Sequence, residues 1–244
     1  MSLGCDPSQL LDNLEQTRER VDRAVLRSGR RSEDVILVAI SKRHDPEAVR
    51  ILAGAGQRDF GESYVQEALA KQDELQGLDI AWHFIGGLQS NKAKFVPGRF
   101  DLLHSVGSAK LAAALNKAGT AQDTTMSVLM QVNLAREPQK SGVDETEALA
   151  LAQAIHAMDH LRLQGLMVMP PYSPNPEDSR PLFSRLRELR GELLSGFGPD
   201  GPELRELSMG MSHDLEVAVE EGATFVRAGT CIFGERPPQK GTLG

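Results

Sequence analysis

The segment "VAISKRHDPEAV" (Val38–Val49) predicts a buried strand, a lysine at its end and then a helix. Residues 35–40 are almost wholly apolar, as is typical of strands that are covered on both faces of a parallel sheet. Pro46 after Asp45 is a typical helix start. Lys42 therefore stands at the carboxyl end of a buried strand, where it is either a solvated loop residue or is held there for chemistry.

The same strand–helix unit recurs along the chain, after a lead helix at 6–29. The predicted strands are Val35–Ile40, Arg58–Gly61, Ala81–Ile85, Leu102–Ser105, Val128–Asn133, Leu163–Val168, Leu204–Leu207 and Thr224–Ala228. The predicted helices lie near 46–56, 62–76, 90–96, 108–119, 144–158, 177–195 and 212–221, with a weakly signalled last one beyond Gly234. Eight such units predict an α/β fold, a closed (β/α)8 TIM barrel at about 35–236 within one domain, 1–244. A doubly wound open sheet is the alternative.

Composition narrows the classes of function. The net charge of -7 argues against a nucleic-acid or membrane-surface binder, both of which need a basic face. Cys5 and Cys231 give no disulfide framework, and the histidine spacing indicates no metal site. With no secretory leader and no long apolar run visible, we expect a cytoplasmic protein without a membrane or nucleic-acid partner.

Polar and glycine residues follow the seventh and eighth predicted strands. Ser208 and Ser212 lie in "LSMGMSHDL", which predicts a strand, a glycine turn and a helix with Ser212 near its N-cap. Arg227, Gly229 and Thr230 end the eighth strand in "VRAGTCIFGER". Helix N-termini and glycine backbones bind anions, and these two loops often form the phosphate site of such barrels. The sequence therefore favours a phosphate site here.

Lys42 belongs to the strand expected to lie beside that site. One interpretation is electrostatic binding of a phosphorylated substrate. The other is a Schiff base, formed either with a substrate carbonyl or with pyridoxal phosphate. The residues alone leave both open. His83 in the third strand and Asn133 at the end of the fifth are further polar candidates near the same edge.

Several ordered motifs resemble the pyridoxal phosphate homeostasis protein family over nearly the whole chain. They include "LVAISK", "FGESYVQEALAK", "WHFIGGLQSNKAK", "VNLAREPQKSGV" and "LSMGMSHDLEVAVEEGATFVRAGTCIFGER". That family is similar to the N-terminal barrel of alanine racemase, the fold type III group of pyridoxal phosphate proteins. The resemblance implies that pyridoxal 5'-phosphate forms a Schiff base with Lys42 while Arg227 faces its pyridine nitrogen. It also implies that the phosphate is held by Ser212, Gly229 and Thr230. Further cofactor contacts are implied for Ser208, His83 and Asn133.

The chain departs from the family pattern at three places, of which Gly87 in "IGGLQ" carries no inference. Ser63 in "GES" replaces a usual asparagine, which puts one amide contact in doubt. "RHD" (43–45) stands where the family often has "TKP", so a second lysine near Lys42 is missing. Lys140 matches a family lysine before "SG" and is a candidate second cation at the mouth.

Arg227 points to a role without turnover. A guanidinium cannot take up a further proton, so it would leave the ring nitrogen unprotonated and the cofactor a poor stabiliser of carbanions. The chain also ends at Gly244, without the length for the second domain of alanine racemase. We therefore expect a monomeric protein that acts in vitamin B6 homeostasis, and we assign no catalytic residue. Apoenzymes that need the cofactor are its candidate partners. The alternatives are a weak amino-acid racemase, with Tyr172 as acid, and a Schiff-base aldolase.

Overall fold

Eight parallel strands close into a barrel, and each strand pairs with its neighbours in chain order. The computed structural model describes residues 6–137, 141–198 and 201–235. The strands are β1 Ile36–Ile40, β2 Asp59–Glu62, β3 Ala81–Phe84, β4 Leu102–Val106, β5 Met126–Gln131, β6 Leu161–Met167, β7 Glu206–Met211 and β8 Phe225–Ala228. The pairing of β1 with β8 closes the barrel. The predicted (β/α)8 barrel is confirmed, and the open-sheet alternative is excluded.

The helices cover the outside of the barrel. They are α1 Pro7–Arg27, α2 Pro46–Gly54, α3 Val65–Glu74, α4 Ala109–Gln122, α5 Ala148–His156, α6 Arg180–Phe197, α7 Leu215–Glu220 and α8 Thr230–Phe233. A 3-10 helix, Ser90–Phe95, takes the place of an α-helix between β3 and β4. None of the helices in the described ranges combines the length and apolarity needed to cross a lipid bilayer.

The last helix differs from the sequence prediction. It follows β8 at once and ends at Gly234, whose φ of 77° suits a helix terminus. The short helix expected beyond Gly234 falls mostly on residues outside the described ranges.

Apolar side chains form two layers separated by the strands. The larger layer lies between the strands and the helices, and includes Trp82 and Phe84, which are both buried. The smaller layer fills the barrel interior and consists of Val38, Ile40, Ile85, Leu102, Leu129, Met167 and Phe225. Alternation along each strand produces this division, because successive side chains point to opposite faces.

Strand β7 ends later than the sequence predicts. The prediction of Leu204–Leu207 followed by a glycine turn is wrong, since β7 spans Glu206–Met211. Gly210 lies within the strand at φ 88°, where the register with β8 shifts. Helix α7 has Asp214, not Ser212, at its N-cap. Pairing with β8 carries the strand through the glycine, so Ser212 is left in the loop.

Candidate functional site

A cavity of about 620 Å³ opens at the carboxyl ends of the strands. Its volume is typical of a site for a small molecule or cofactor. Five of the residues singled out from sequence line it together, namely Lys42, Ser212, Arg227, Gly229 and Thr230. The structure therefore brings the Lys42 amine, the Arg227 guanidinium and the loops that follow β7 and β8 to one cavity.

The turn that carries Lys42 is held by a buried charged cluster. The Lys71 ammonium, on α3, donates to the carbonyl oxygen of Ser41 at 2.6 Å. It also donates to Glu62 Oε1 at 2.6 Å and to Glu67 Oε1 at 2.7 Å. The Ser41 hydroxyl donates to Glu62 Oε1 at 2.7 Å. Lys71 thus fixes the residue before Lys42, although the sequence pattern had indicated that no second lysine lay nearby.

Glu62 is the most deeply buried member of this cluster. Its side chain is fully buried, and its Oε2 has no hydrogen-bond partner among the described residues. Burial raises the pKa of the Glu62 carboxyl, and the neighbouring Lys71 ammonium offsets part of that effect. The cluster is therefore sensitive to the protonation of Glu62.

The "RHD" segment shapes the end of the Lys42 turn. Arg43 has a left-handed φ of 67°, and its backbone N–H donates to Glu67 Oε1. The His44 ring stacks on Phe233 of α8 with 4.8 Å between centroids. Asp45 caps α2 by accepting from the Glu47 backbone N–H. The contacts of these three residues fix the position of the Lys42 turn. The departure of "RHD" from the family pattern did not indicate this role.

Next to Lys42, where β8 pairs with β1, the cavity presents a hydroxyl and backbone amides. The Ser212 Oγ accepts hydrogen bonds from the backbone N–H groups of Gly229, at 3.0 Å, and of Cys231, at 3.5 Å. A hydroxyl that accepts two hydrogen bonds keeps its own hydrogen to donate, and such a donor suits an oxygen of an anion. The loops expected to hold phosphate thus present an oriented hydroxyl donor, although the N-cap geometry expected for Ser212 is absent.

Helix α1 braces these loops from outside. Arg20 donates to the Ser212 carbonyl oxygen at 2.9 Å and pairs with Glu216 at 2.7 Å. Asn13 donates to the carbonyl oxygen of Ile232 at 3.0 Å. Sequence reasoning missed this support. The sequence feature that could have predicted it is the position of three polar residues beside the apolar stripe of the lead helix: Asn13, Thr17 and Arg20.

Arg227 lies at the inner end of the cavity. Its Nη1 donates to Ser208 Oγ at 2.5 Å, and its Nη2 donates to the Val168 carbonyl oxygen at 2.9 Å. Burial lowers the pKa of the Arg227 guanidinium to about 10, with Asp214 opposing the change. The guanidinium therefore remains a cation at neutral pH.

Three candidates lie outside the cavity lining. Ser208 is buried in β7 between Arg227 and His104, whose Nδ1 is 2.7 Å from Ser208 Oγ. His83 occupies the barrel interior and contacts His104. Asn133 turns to its own loop, where it bonds the backbone of Glu137. Strand alternation puts Ser208 and His83 in the interior, and the loop takes the Asn133 amide, so the cofactor contacts expected of these three residues stay predictions.

Further residues complete the lining. Ser63 and Tyr172 are already named from the sequence, whereas no site role is predicted for a second group: Tyr64, Gln131, Met169, Met211 and His213. Tyr64 and Tyr172 are 52% and 78% exposed and form part of the rim. Lys140 lies outside the described residues, although its neighbour in sequence, Ser141, lines the cavity. Within the described ranges, no cluster of three or more His, Cys, Asp or Glu side chains could hold a metal ion.

Comparisons with known proteins give a consistent pattern. The family model of the alanine racemase N-terminal domain matches residues 7–237. A relative from Aquifex aeolicus, named pyridoxal phosphate homeostasis protein, is 42% identical over 225 residues, 92% of this chain and 97% of the relative.

Solved structures agree on the fold. PipY of Synechococcus elongatus PCC7942, solved with PLP bound, superposes with a TM-score of 0.77 at 40% identity, covering 89% of this chain and 99% of that one. An alanine racemase of Clostridium difficile 630 superposes with a TM-score of 0.74 at 12% identity, covering 93% of this chain and 58% of that one. The racemase likeness concerns the fold alone.

Proposed function

The chain belongs to the alanine racemase N-terminal domain family, among the pyridoxal phosphate homeostasis proteins, and from this we propose that it binds pyridoxal 5'-phosphate. Lys42 holds the cofactor as a Schiff base, with little or no turnover, and the protein serves intracellular vitamin B6 homeostasis. The observation that carries the proposal is the single cavity shared by Lys42, Arg227 and the Ser212–Gly229 loops.

The chemistry of the cavity residues fits the cofactor. Pyridoxal phosphate supplies an aldehyde that condenses with amines, together with a phosphate and an electron-withdrawing pyridine ring. Lys42 is the amine, and it follows a strand whose end is fixed by Lys71 and Glu62. Ser212, whose hydroxyl is oriented by the Gly229 N–H, provides a donor for the phosphate, and Gly229 and Thr230 line the cavity with it. Arg227 would face the nitrogen of the pyridine ring.

Arg227 is the reason for expecting low turnover. As a cation at neutral pH it can only donate hydrogen bonds, so it would keep the pyridine nitrogen unprotonated. An unprotonated ring withdraws electrons less strongly. The guanidinium thus favours retention of the cofactor over carbanion chemistry.

The exposed rim suits release of the cofactor. Tyr64 and Tyr172 stand at an open mouth, which admits the water that hydrolysis of the covalent link requires. We therefore extend the proposal to delivery of the cofactor, with apoenzymes in the cytoplasm as recipients and a monomer as the acting species.

The decisive experiment locates the covalent link. Protein reconstituted with pyridoxal phosphate is reduced with borohydride, digested and analysed by mass spectrometry. We expect the phosphopyridoxyl adduct on Lys42, and loss of the visible absorption band in Lys42→Ala. Lys117→Ala, which changes an exposed lysine on α4, is the control and should retain the band. A band of undiminished strength in Lys42→Ala would overturn the assignment.

A weak racemase is the second candidate, because two phenols line the same cavity as Lys42. Incubation with L-alanine in D2O distinguishes the two functions. Exchange of the Cα hydrogen well above the rate with free pyridoxal phosphate, lost in Tyr64→Phe or Tyr172→Phe, would favour the enzyme. We expect no such excess.

A further inference from the structure

A continuous line of polar side chains crosses the barrel interior below the cavity. Arg227 Nη1 donates to Ser208 Oγ at 2.5 Å, and Ser208 Oγ lies 2.7 Å from His104 Nδ1. His104 Nε2 lies 2.9 Å from His83 Nδ1, and His83 Nε2 lies 3.0 Å from Asp59 Oδ1. Five residues from five strand positions thus connect the start of β2 to the cavity. We call this set the Asp59–Arg227 chain.

The four inner members of the Asp59–Arg227 chain are buried beside an aromatic ring. Ser208 and His104 are fully buried, and His83 and Arg227 are nearly so. The Phe225 ring packs against both imidazoles, at 5.5 Å from His83 and 5.4 Å from His104. Unpaired polar groups are costly in such a setting, so each member depends on its neighbours.

The hydrogen-bond inventory gives the chain a direction. The Asp59 carboxylate only accepts, so the His83 Nε2 carries a hydrogen. Burial, with His83 and Arg227 nearby, holds the pKa of His104 well below its ordinary value, so that ring is neutral. At the other end the Arg227 guanidinium only donates, so Ser208 Oγ accepts from it and the Ser208 hydroxyl hydrogen is left to donate to His104 Nδ1. The hydrogen of His104 is then on Nε2, which donates to His83 Nδ1.

We propose that Asp59, His83, His104 and Ser208 are positioning residues for Arg227, acting through this directed chain. The inference rests on the proposed function in one respect, that Arg227 faces the pyridine nitrogen of the bound cofactor. Ser208 and the Val168 carbonyl each fix one N–H of the guanidinium. The remaining donors of its rigid fork are thereby aimed in a constant direction, and the side chain also lines the cavity.

The Asp59–Arg227 chain gives a role to residues that do not line the cavity. Ser208 and His83 lie outside the cavity lining, yet they are linked to the cavity residue Arg227 through at most two intervening side chains. Asp59, the far end, keeps 25% of its side chain exposed, so it can be changed with little disturbance to the core. Outer partners of this kind commonly set the orientation of the residue that touches the ligand.

The first test needs no cofactor. Protein labelled with ¹⁵N-histidine reports by NMR which ring nitrogen of His83 and His104 carries the hydrogen. We expect the Nε2–H form for both rings in the wild type. Asp59→Asn keeps an acceptor for His83 and should keep that pattern, whereas Asp59→Ala should give a mixture of forms at both rings. His156→Gln changes an exposed histidine on the outside of the barrel and is the control.

The second test measures the cofactor. Ser208→Ala removes a hydrogen bond to a charged group, so we expect the Kd for pyridoxal phosphate to rise about tenfold. We also expect a shift of the visible band, and smaller changes in the same direction for Asp59→Ala. Asp59→Asn and His156→Gln should match the wild type.

The outcomes separate this inference from the proposed function. If the wild type binds no pyridoxal phosphate, the proposed function fails, while the tautomer pattern still tests the chain. If the wild type binds it but Asp59→Ala leaves both the His104 tautomer and the Kd unchanged, the inference fails. Should Ser208→Ala not fold, the two Asp59 variants carry the test alone. A purely structural role would lower the stability of Asp59→Ala without moving the tautomers or the band.

Discussion

Lys42 and Ser212 face the same cavity, but the turns that carry them are held by different interactions. The Lys42 turn rests on the buried side chains of Lys71 and Glu62 and on the partly exposed Glu67. The Ser212 loop rests on backbone N–H groups and on Arg20, which pairs with a partly exposed carboxylate. The first depends on protonation and the second on backbone conformation, so the two should respond differently to pH and to substitution.

The largest effect is expected from Lys71→Met. Removing one partner of a buried ion pair leaves Glu62 buried beside Glu67, which typically costs about 3–5 kcal/mol. Urea unfolding at neutral pH measures the loss. The double variant Lys71→Met/Glu62→Gln, which removes the buried charge as well, should recover part of it.

The pH dependence of Lys71→Met gives a sharper check. The folded-state pKa of Glu62 is raised by burial, so the folded protein holds this proton more tightly than the unfolded chain. The resulting stabilisation is complete below the unfolded pKa and is lost as pH rises through the folded pKa. Without Lys71 the folded pKa rises further, so the deficit of Lys71→Met should shrink in mildly acidic buffer. A deficit independent of pH would show that the buried charge is not its cause.

A smaller loss is expected on the Ser212 side from Gly210→Ala. Gly210 has φ 88°, and a Cβ there would lie 2.4 Å from the Ala218 Cβ. Strain and overpacking together predict a loss of about 2–3 kcal/mol, with weaker cofactor binding because β7 leads into Ser212. Chemical unfolding and a binding titration check both.

Gly191→Ala is the matched control for Gly210→Ala. Gly191 lies in α6, and a Cβ there would meet no atom within 4 Å. Alanine should therefore stabilise this helix by about 0.5–1 kcal/mol. Equal losses in the two glycine variants would contradict the conformational explanation for Gly210.

Local patterns predicted the barrel and the cavity residues at its strand ends. Lys42 and Gly229 each follow an apolar run, and parallel strands bring such ends to one edge. The end of β7 was misjudged because Gly210 punctuates the sequence like a turn, whereas pairing of Met211 with Arg227 continues the strand.

Contacts between distant elements were beyond local patterns. Lys71 is one of several charged residues on an amphipathic helix, and only the docking of α3 buries it beneath the Lys42 turn. The sequence marks His83 as a polar candidate but does not indicate that it pairs with His104. A usable signal was present, since each is the third residue of its strand and the two strands are neighbours.

The smallest effect is expected from Arg20→Met, which weakens the bracing of the Ser212 loop. The Arg20–Glu216 pair is partly exposed, with 28% and 29% of the side chains accessible, so its loss should cost less than about 1 kcal/mol. Arg20→Lys keeps the charge but cannot reach the carboxylate and the Ser212 carbonyl with one rigid fork. Both Arg20→Met and Arg20→Lys should therefore bind pyridoxal phosphate more weakly than the wild type, and to the same extent. Added salt should lower the stability of Arg20→Lys and of the wild type, which keep a charge at this position, but not that of Arg20→Met. Full recovery of binding in Arg20→Lys would show that charge alone holds this loop, and would remove the contrast with the Lys42 turn.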